Sequence, residues 1–282
     1  MPTELQSRPQ PRDGRPARFG AGELAQAGAP AAALEGVSRS YRAPARGGLR
    51  LWPRQDARAV QALAGVSLTV APGELVAVVG ASGCGKSTLL ELMCGLQRPD
   101  EGTVACLPAV LMPQRDLLLE WLGALDNAAL GVRIAGASRA QARERAAALF
   151  AELGLDGFQR ARPHELSGGM RQRVAFARTL LSGKPLLCLD EPFGALDAIT
   201  RAQMQDWLAA VLARERRTVV LVTHDVEEAA LLADRVLVLS PRPGRVLAEI
   251  SVQTPRPRSR TAPAVLEARR RALAELGMGA TA

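Results

Sequence analysis

Nine residues, GASGCGKST from Gly80 to Thr88, have the types and spacing of a loop that holds phosphate. Glycines let such a loop wrap closely around an anion, so that successive N–H groups point inward. Lys86 offers a cation to β- and γ-phosphates, and Ser87 offers a hydroxyl to Mg²⁺. The candidate contacts are Gly80, Ala81, Ser82, Gly83, Cys84, Gly85, Lys86, Ser87 and Thr88. A second stretch, LLCLDE, ends at Glu191. Its four apolar residues enter a core, and Asp190 emerges at the carboxyl end, placed to hold the same metal ion. Alternation along a strand turns Glu191 elsewhere, toward a water that it can orient or deprotonate. Without the phosphate loop, the two acids read as a surface pair at a strand end.

Two further places carry chemistry. His224 follows the apolar run TVVLVT and precedes Asp225. An imidazole there can donate a hydrogen bond to a γ-phosphate oxygen. His164, next to Glu165, reads as structural. The stretch LSGGMRQR, Leu166 to Arg173, opens a helix. Ser167 is a good N-cap, Gly168 and Gly169 leave the next amides uncovered, and Met170, Val174, Ala177 and Leu181 fall at helical spacing. Bare N–H groups at a helix mouth are a place for an anion. An ordinary capped helix accounts for the same residues.

The elements that must position these groups follow from periodicity. LVAVVG (75–80) is continuously apolar, as expected of a strand buried on both faces, and PLLCLDE (185–191), TVVLVTHD (218–225) and RVLVLS (235–240), each built on an apolar run, read as further buried strands. KSTLLELMCG is a helix directly after the phosphate loop. Strands alternating with helices predict an α/β fold with a mainly parallel sheet. LEGVSRSYR reads as an edge strand, VSLTV (66–70) as a second outer strand, and residues 43–58 as a loop-like insertion. Ser138 and Gln141 predict a capping box for a helix that Gly154 ends. A last helix is expected near 264–276.

Composition bounds the rest. The 282 residues are 48% apolar, enough for a substantial core, and hold no apolar run long enough to cross a membrane. The first twenty residues lack the apolar segment of a secretory signal, so a cytosolic chain is expected. The four cysteines have no metal-ligand spacing and read as free thiols. The net charge of +8 lies in the ends: 10 Arg against 5 acids in 1–58, 8 Arg against 3 acids in 241–282, and 18 Lys or Arg against 20 acids between them. A basic surface for nucleic acid is therefore not indicated; contact of the ends with anionic lipid is an alternative.

The ordered set of phosphate loop, LSGGM, LLCLDEPFGALD and VTHD resembles the ATP-binding subunits of ABC transporters. The resemblance implies a P-loop NTPase of ABC type, with an antiparallel β subdomain and an α-helical signature subdomain at about 115–180. It covers 34–258, the expected ATP-binding domain; residues 1–33, rich in Pro, Gly, Ala and Arg without periodicity, read as a disordered tail, and 259–282 as a helical tail. It further implies that Tyr41 stacks on adenine, with Trp52 of the insertion as competitor. Gln114 would touch Mg²⁺ and report to a membrane partner, and Asp197 would cross to a second subunit. Ser167, Gly168 and Gly169 of one copy would close on the ATP held by the other, in a head-to-tail homodimer with Glu191, His224 and Lys86 as catalytic groups.

The segment between Gly102 and Gln114 is shorter than usual for the family, which implies a missing β-hairpin. Leu117, Leu118, Leu119 and Trp121 are expected to form an exposed apolar patch that meets a permease subunit, although the edge of a core helix is the alternative. LSPRPGRV and TPRPRS resemble the nitrate, sulfonate and taurine importer subfamily. PQRDLLLEW and ALDNAALG look most like importers of the thiamine pyrimidine precursor, from which Glu120 departs where a proline is common. The implied setting is the cytoplasmic face of the membrane, with a permease and, indirectly, a solute-binding protein as partners and no nucleic acid.

Overall fold

The four apolar runs form four adjacent strands of a six-stranded sheet. The computed structural model describes residues 29–42, 59–214 and 217–277. In chain order it contains β1 (Ala32–Arg42), β2 (Ala59–Val70), β3 (Leu75–Gly80), α1 (Lys86–Met93), β4 (Glu101–Cys106), β5 (Ala109–Met112), α2 (Ala124–Ala128), α3 (Leu130–Ile134) and α4 (Arg139–Glu152). After a 3₁₀ turn at Pro163–Glu165 come α5 (Gly168–Leu180), β6 (Leu186–Asp190), α6 (Ala198–Arg214), β7 (Thr218–Thr223), α7 (Val226–Leu232), β8 (Arg235–Leu239), β9 (Val246–Ser251) and α8 (Pro263–Glu275). Most of the expected N-terminal tail and the whole insertion, Trp52 included, lie outside the described residues.

The core sheet has the order β5-β6-β7-β3-β8-β9, parallel from β5 to β8 with β9 antiparallel at its edge. The strands separate two apolar layers by simple alternation. Leu75, Ala77 and Val79 of β3 face the helices, whereas Val76 and Val78 face α1 and the second sheet. On β6, Leu187 and Leu189 take the helical side while Leu186 and Cys188 take the other. Both faces are covered, so a period of two in polarity never arises.

The second sheet is antiparallel, in the order β2-β1-β4. The stretch expected as an edge strand is therefore its middle strand. Residues Ala32–Glu35 pair with Thr103–Cys106 on one side and the whole of β1 pairs with β2 on the other. Between β5 and β6 the chain is helix and loop only. The capping box of α4 forms as expected, with Gln141 N–H donating to Ser138 Oγ (3.3 Å) and Ser138 N–H to Gln141 Oε1 (3.1 Å). Gly154 follows at φ +61°.

Two of the C-terminal arginines brace the fold. Arg256 and Arg258 turn inward at the end of α7. Arg258, with its side chain only 1% exposed, donates to Ala233 O (2.6 Å), Thr254 O (2.6 Å), Leu231 O (3.2 Å) and Val252 O (3.2 Å). Arg256 pairs with Asp234 at 3.1 Å. Burial pulls the Arg258 guanidinium below its ordinary range, against the opposing charge of Asp234. Part of the basic C-terminal region thus satisfies helix-end carbonyls. Arg258→Ala strands those carbonyls and is expected to cost about 3 kcal/mol of unfolding free energy in urea titrations. A loss below about 1 kcal/mol would contradict this role. The last helix packs on the same core through Val265, Ala268 and Ala272.

Candidate active site

The phosphate loop leaves β3 and enters α1 with one turn bond of its own, Cys84 N–H to Ala81 O at 3.3 Å. No side chain caps α1, and its N-cap residue, Gly85, has φ +106°. A Cβ at Gly85 would sit 2.7 Å from Ala62 O and from Leu63 Cδ2, so this turn admits only glycine. Lys86 is buried and donates to Gly80 O (2.8 Å) and Ala81 O (3.0 Å). A cavity of about 320 Å³ opens over the loop. It is lined by Ser82, Gly83, Gly85, Lys86, Ser87 and Thr88, together with Tyr41, Val60, Ala62, Gln114, Asp190, Glu191 and Arg242. That is the size of a small-ligand site. Of the sequence-derived phosphate contacts, Gly80, Ala81 and Cys84 shape the loop without lining the cavity.

Asp190 ends β6 almost fully buried, with the Ser87 hydroxyl on its carboxylate. Burial pushes the Asp190 carboxyl above its ordinary range; the charge of Glu191 adds to this, while Ser87 and Lys86 oppose it. Glu191 corrects one expectation. It is not turned by strand alternation, since it lies one residue beyond β6 in a left-handed conformation, φ +47°. Its N–H still donates to Val222 O (2.8 Å). A non-glycine residue held there costs about 1–2 kcal/mol, a strain that functional sites tolerate. The turn sets one carboxylate oxygen 3.4 Å from Gln114 Nε2 and the other 3.1 Å from His224 Nδ1. Gln114, Glu191 and His224 come from three separate segments; Gln114 and Glu191 line the cavity, and His224 reaches it only through Glu191.

The histidine is positioned by α7. Asp225 caps that helix, accepting from Glu227 N–H (2.9 Å) and Glu228 N–H (3.2 Å). The buried Glu228 accepts from Gln205 of α6 at 3.1 Å, and burial, reinforced by the charge of Asp225, pushes its carboxyl up to about 8. Tyr41 lines the cavity. Its hydroxyl donates to Gln97 Oε1 (3.0 Å) and meets Thr88 Oγ1 at 3.1 Å, with the Arg39 guanidinium 5.3 Å from its ring centre. The ring is thus tethered to α1 and β1.

The LSGG motif lies elsewhere. Ser167 caps α5, accepting from Met170 N–H at 3.2 Å. Neither Ser167, Gly168 nor Gly169 lines the cavity over the phosphate loop. Gly169 instead lies near Leu196, where a Cβ would be 3.1 Å from Leu196 Cδ2. Asp197 caps α6, and the N–H groups of Thr200 and Ile199 hold its exposed carboxyl below the ordinary range.

The polar run after the motif braces the molecule. Arg171 reaches Asp116 (3.1 Å), Gln172 donates to Pro192 O (3.1 Å) and Arg173 donates to Leu153 O (2.7 Å). Arg178 holds the carbonyls of Asp116 (2.6 Å) and Leu117 (2.9 Å). The expected apolar patch is smaller than its sequence: Leu117 and Trp121 are exposed at 58% and 69%, while Leu118 is buried and Leu119 half-buried. Val60, Ala62 and Arg242 are the lining residues that motif reasoning missed, and of these Arg242 alone is charged; it stands 159 residues from the glycine it touches.

Comparison with known proteins agrees with this arrangement. The family model described as ABC transporter matches residues 63–194. The aliphatic sulfonates import ATP-binding protein SsuB 2 of Nocardia farcinica is 48% identical over 220 residues, covering 77% of this chain and 88% of that protein. The taurine import ATP-binding protein TauB of Chromobacterium violaceum is 46% identical over 70% of this chain and 79% of its own. The formylaminopyrimidine import ATP-binding protein ThiZ of Halalkalibacterium halodurans is 45% identical over 66% and 76%. The dimeric post-hydrolysis structure of the ATP-binding cassette MJ0796 bound to ADP and Pi superposes with a TM-score of 0.68 at 28% identity, over 79% of this chain and 99% of that one. The chain belongs to the ABC transporter family as one of its ATP-binding cassettes.

Proposed function

We propose that this protein is the ATP-hydrolysing subunit of an importer for a small solute, of the sulfonate, taurine or formylaminopyrimidine kind that its relatives' names record. It would work as a head-to-tail homodimer at the cytoplasmic face of the membrane, under a separate permease fed by a solute-binding protein. Residues 34–258 form the ATP-binding domain in this reading, with a helical subdomain at about 115–180. Leu117 and Trp121 form the apolar face offered to the permease.

The chemistry belongs to residues at the cavity. The loop amides and Lys86 bind the phosphates, and Tyr41 offers a ring to adenine. The Glu191 carboxylate takes a proton from the attacking water, steadied by Gln114 on one oxygen and His224 on the other. Ser87 and Asp190 fit Mg²⁺: both are oxygen donors, and a buried carboxylate whose charged form is disfavoured gains from a cation. Among the described residues no three His, Cys, Asp or Glu side chains converge as metal ligands, and magnesium needs only one or two carboxylates beside phosphate oxygens. When bound, it neutralises charge on the phosphate oxygens.

The observation that carries the dimer is the separation of the two anion sites within one chain: the LSGG helix mouth does not line the phosphate cavity. Each copy then lacks what its neighbour supplies. Mixing two inactive variants tests this. Lys86→Ala disables its own phosphate loop and Ser167→Arg blocks its own LSGG motif. A mixed dimer retains one intact composite site, so hydrolysis in the mixture should exceed that of either variant alone. A mixture as inactive as its components would refute the composite site.

A further inference from the structure

The turn between β8 and β9 lies against the phosphate loop. Ser240 N–H donates to Arg245 O (2.9 Å) and Arg245 N–H donates to Ser240 Oγ (3.0 Å), which closes the turn. Pro241 and Pro243 each restrict a φ angle within it. Gly244 then bonds to β2 through both backbone groups: its N–H donates to Ala62 O (2.8 Å) and its carbonyl accepts from Ala64 N–H (3.0 Å). A Cβ on Gly244 would come within 2.2 Å of Cys84 O, so the turn touches the loop itself. Arg242 is therefore carried on a rigid mount.

From that mount the side chain reaches over the loop. Arg242 Nε donates to Gly83 O at 3.0 Å, and the guanidinium lines the same cavity as Ser82, Lys86 and Tyr41. A guanidinium has five N–H donors, and this bond uses one. The acids of the cavity are engaged elsewhere, Asp190 with Ser87 and Glu191 with His224. Lys86 lies buried within the loop, bound to Gly80 O and Ala81 O. Arg242 adds a second cation at the mouth of the same cavity. A nucleotide's phosphates present the geometry that a guanidinium recognises, with paired oxygens in one plane.

We propose that Arg242 is a further nucleotide-binding residue, whose guanidinium contacts a phosphate oxygen of the bound nucleoside di- or triphosphate from outside the phosphate loop. This rests on the nucleotide-site reading above. The bond to Gly83 aims the side chain, and the remaining donors make the contact.

ADP binding to the full chain, measured by titration calorimetry, separates charge from bracing. Arg242→Gln retains a donor for Gly83 O without the charge, Arg242→Lys retains the charge, and Arg245→Ala on the same turn is a control. At low ionic strength Arg242→Gln should weaken ADP binding about 10-fold, Arg242→Lys less, and Arg245→Ala not at all. The deficit of Arg242→Gln should shrink as salt rises, since the lost attraction is screened at an open cavity mouth. Wild-type affinity in Arg242→Gln overturns the proposal. So does a loss that ignores salt and that lysine does not recover, which would make Arg242 a brace for Gly83 alone. Failure of the wild-type chain to bind ADP would instead overturn the nucleotide-site reading.

Discussion

Replacing Glu191 with glutamine should lower kcat for ATP hydrolysis by about 10²–10⁴-fold while leaving ATP affinity nearly unchanged. That loss corresponds to about 3–5 kcal/mol of transition-state stabilisation. The amide has the size and shape of the carboxylate, so the contacts near Gln114 and His224 lose little geometry. What disappears is the basicity that accepts a proton from water. ATP then persists in the site, and the variant should accumulate as an ATP-dependent dimer, read by light scattering after gel filtration. Turnover equal to wild type would remove Glu191 from the chemistry. Lost turnover without an ATP-dependent dimer would leave the carboxylate role standing and remove the head-to-tail arrangement.

Lys86→Ala acts earlier, on binding. The ammonium is buried within the loop and tied to Gly80 O and Ala81 O, so it meets a phosphate with little reorganisation. Its removal should weaken ATP binding by about 10²-fold or more, close to 3 kcal/mol for a buried charge-assisted contact. Equilibrium titration with a fluorescent nucleotide reads the affinity, and circular dichroism checks that α1 and the sheet persist. Arg in its place keeps the charge but brings a planar fork into a space shaped for a point charge, so Lys86→Arg should recover only part of the affinity. Ordinary ATP affinity in Lys86→Ala would defeat the phosphate reading of the loop.

Lys86 is legible in the amino-acid order because its surroundings are local; for Glu191 only the position at a strand end is. A phosphate loop is a contiguous stretch: its glycines, its lysine and the helix it opens are set within nine residues. Strands buried on both faces show as unbroken apolar runs, and β3, β6, β7 and β8 fall where those runs lie. Caps are equally local, so the starts of α4 and α5 follow from Ser138 and Ser167.

Other features depend on contacts between distant segments. β1 is a central strand because β4 pairs along its open side, and nothing within LEGVSRSYR records that partner. Leu118 is buried while Leu117 and Trp121 are exposed, a sorting made by helices packed from outside the stretch. Glu191 owes its direction to a left-handed turn after β6 rather than to the strand's own alternation. Arg171, Gln172, Arg173, Arg256 and Arg258 look like surface charge or amide groups in the sequence and instead satisfy backbone carbonyls and acids of other elements. Arg242 joins the site only because its turn folds onto Ala62 and Cys84. The amino-acid order alone determined the spacing of the phosphate-type loop and the layered α/β class, since both rest on near-neighbour geometry and the period of apolar residues. Tertiary structure alone decided that Arg242 joins Lys86 at the cavity while those other arginines hold the frame, because a charge's surroundings depend on what long-range packing places within about 3 Å of it.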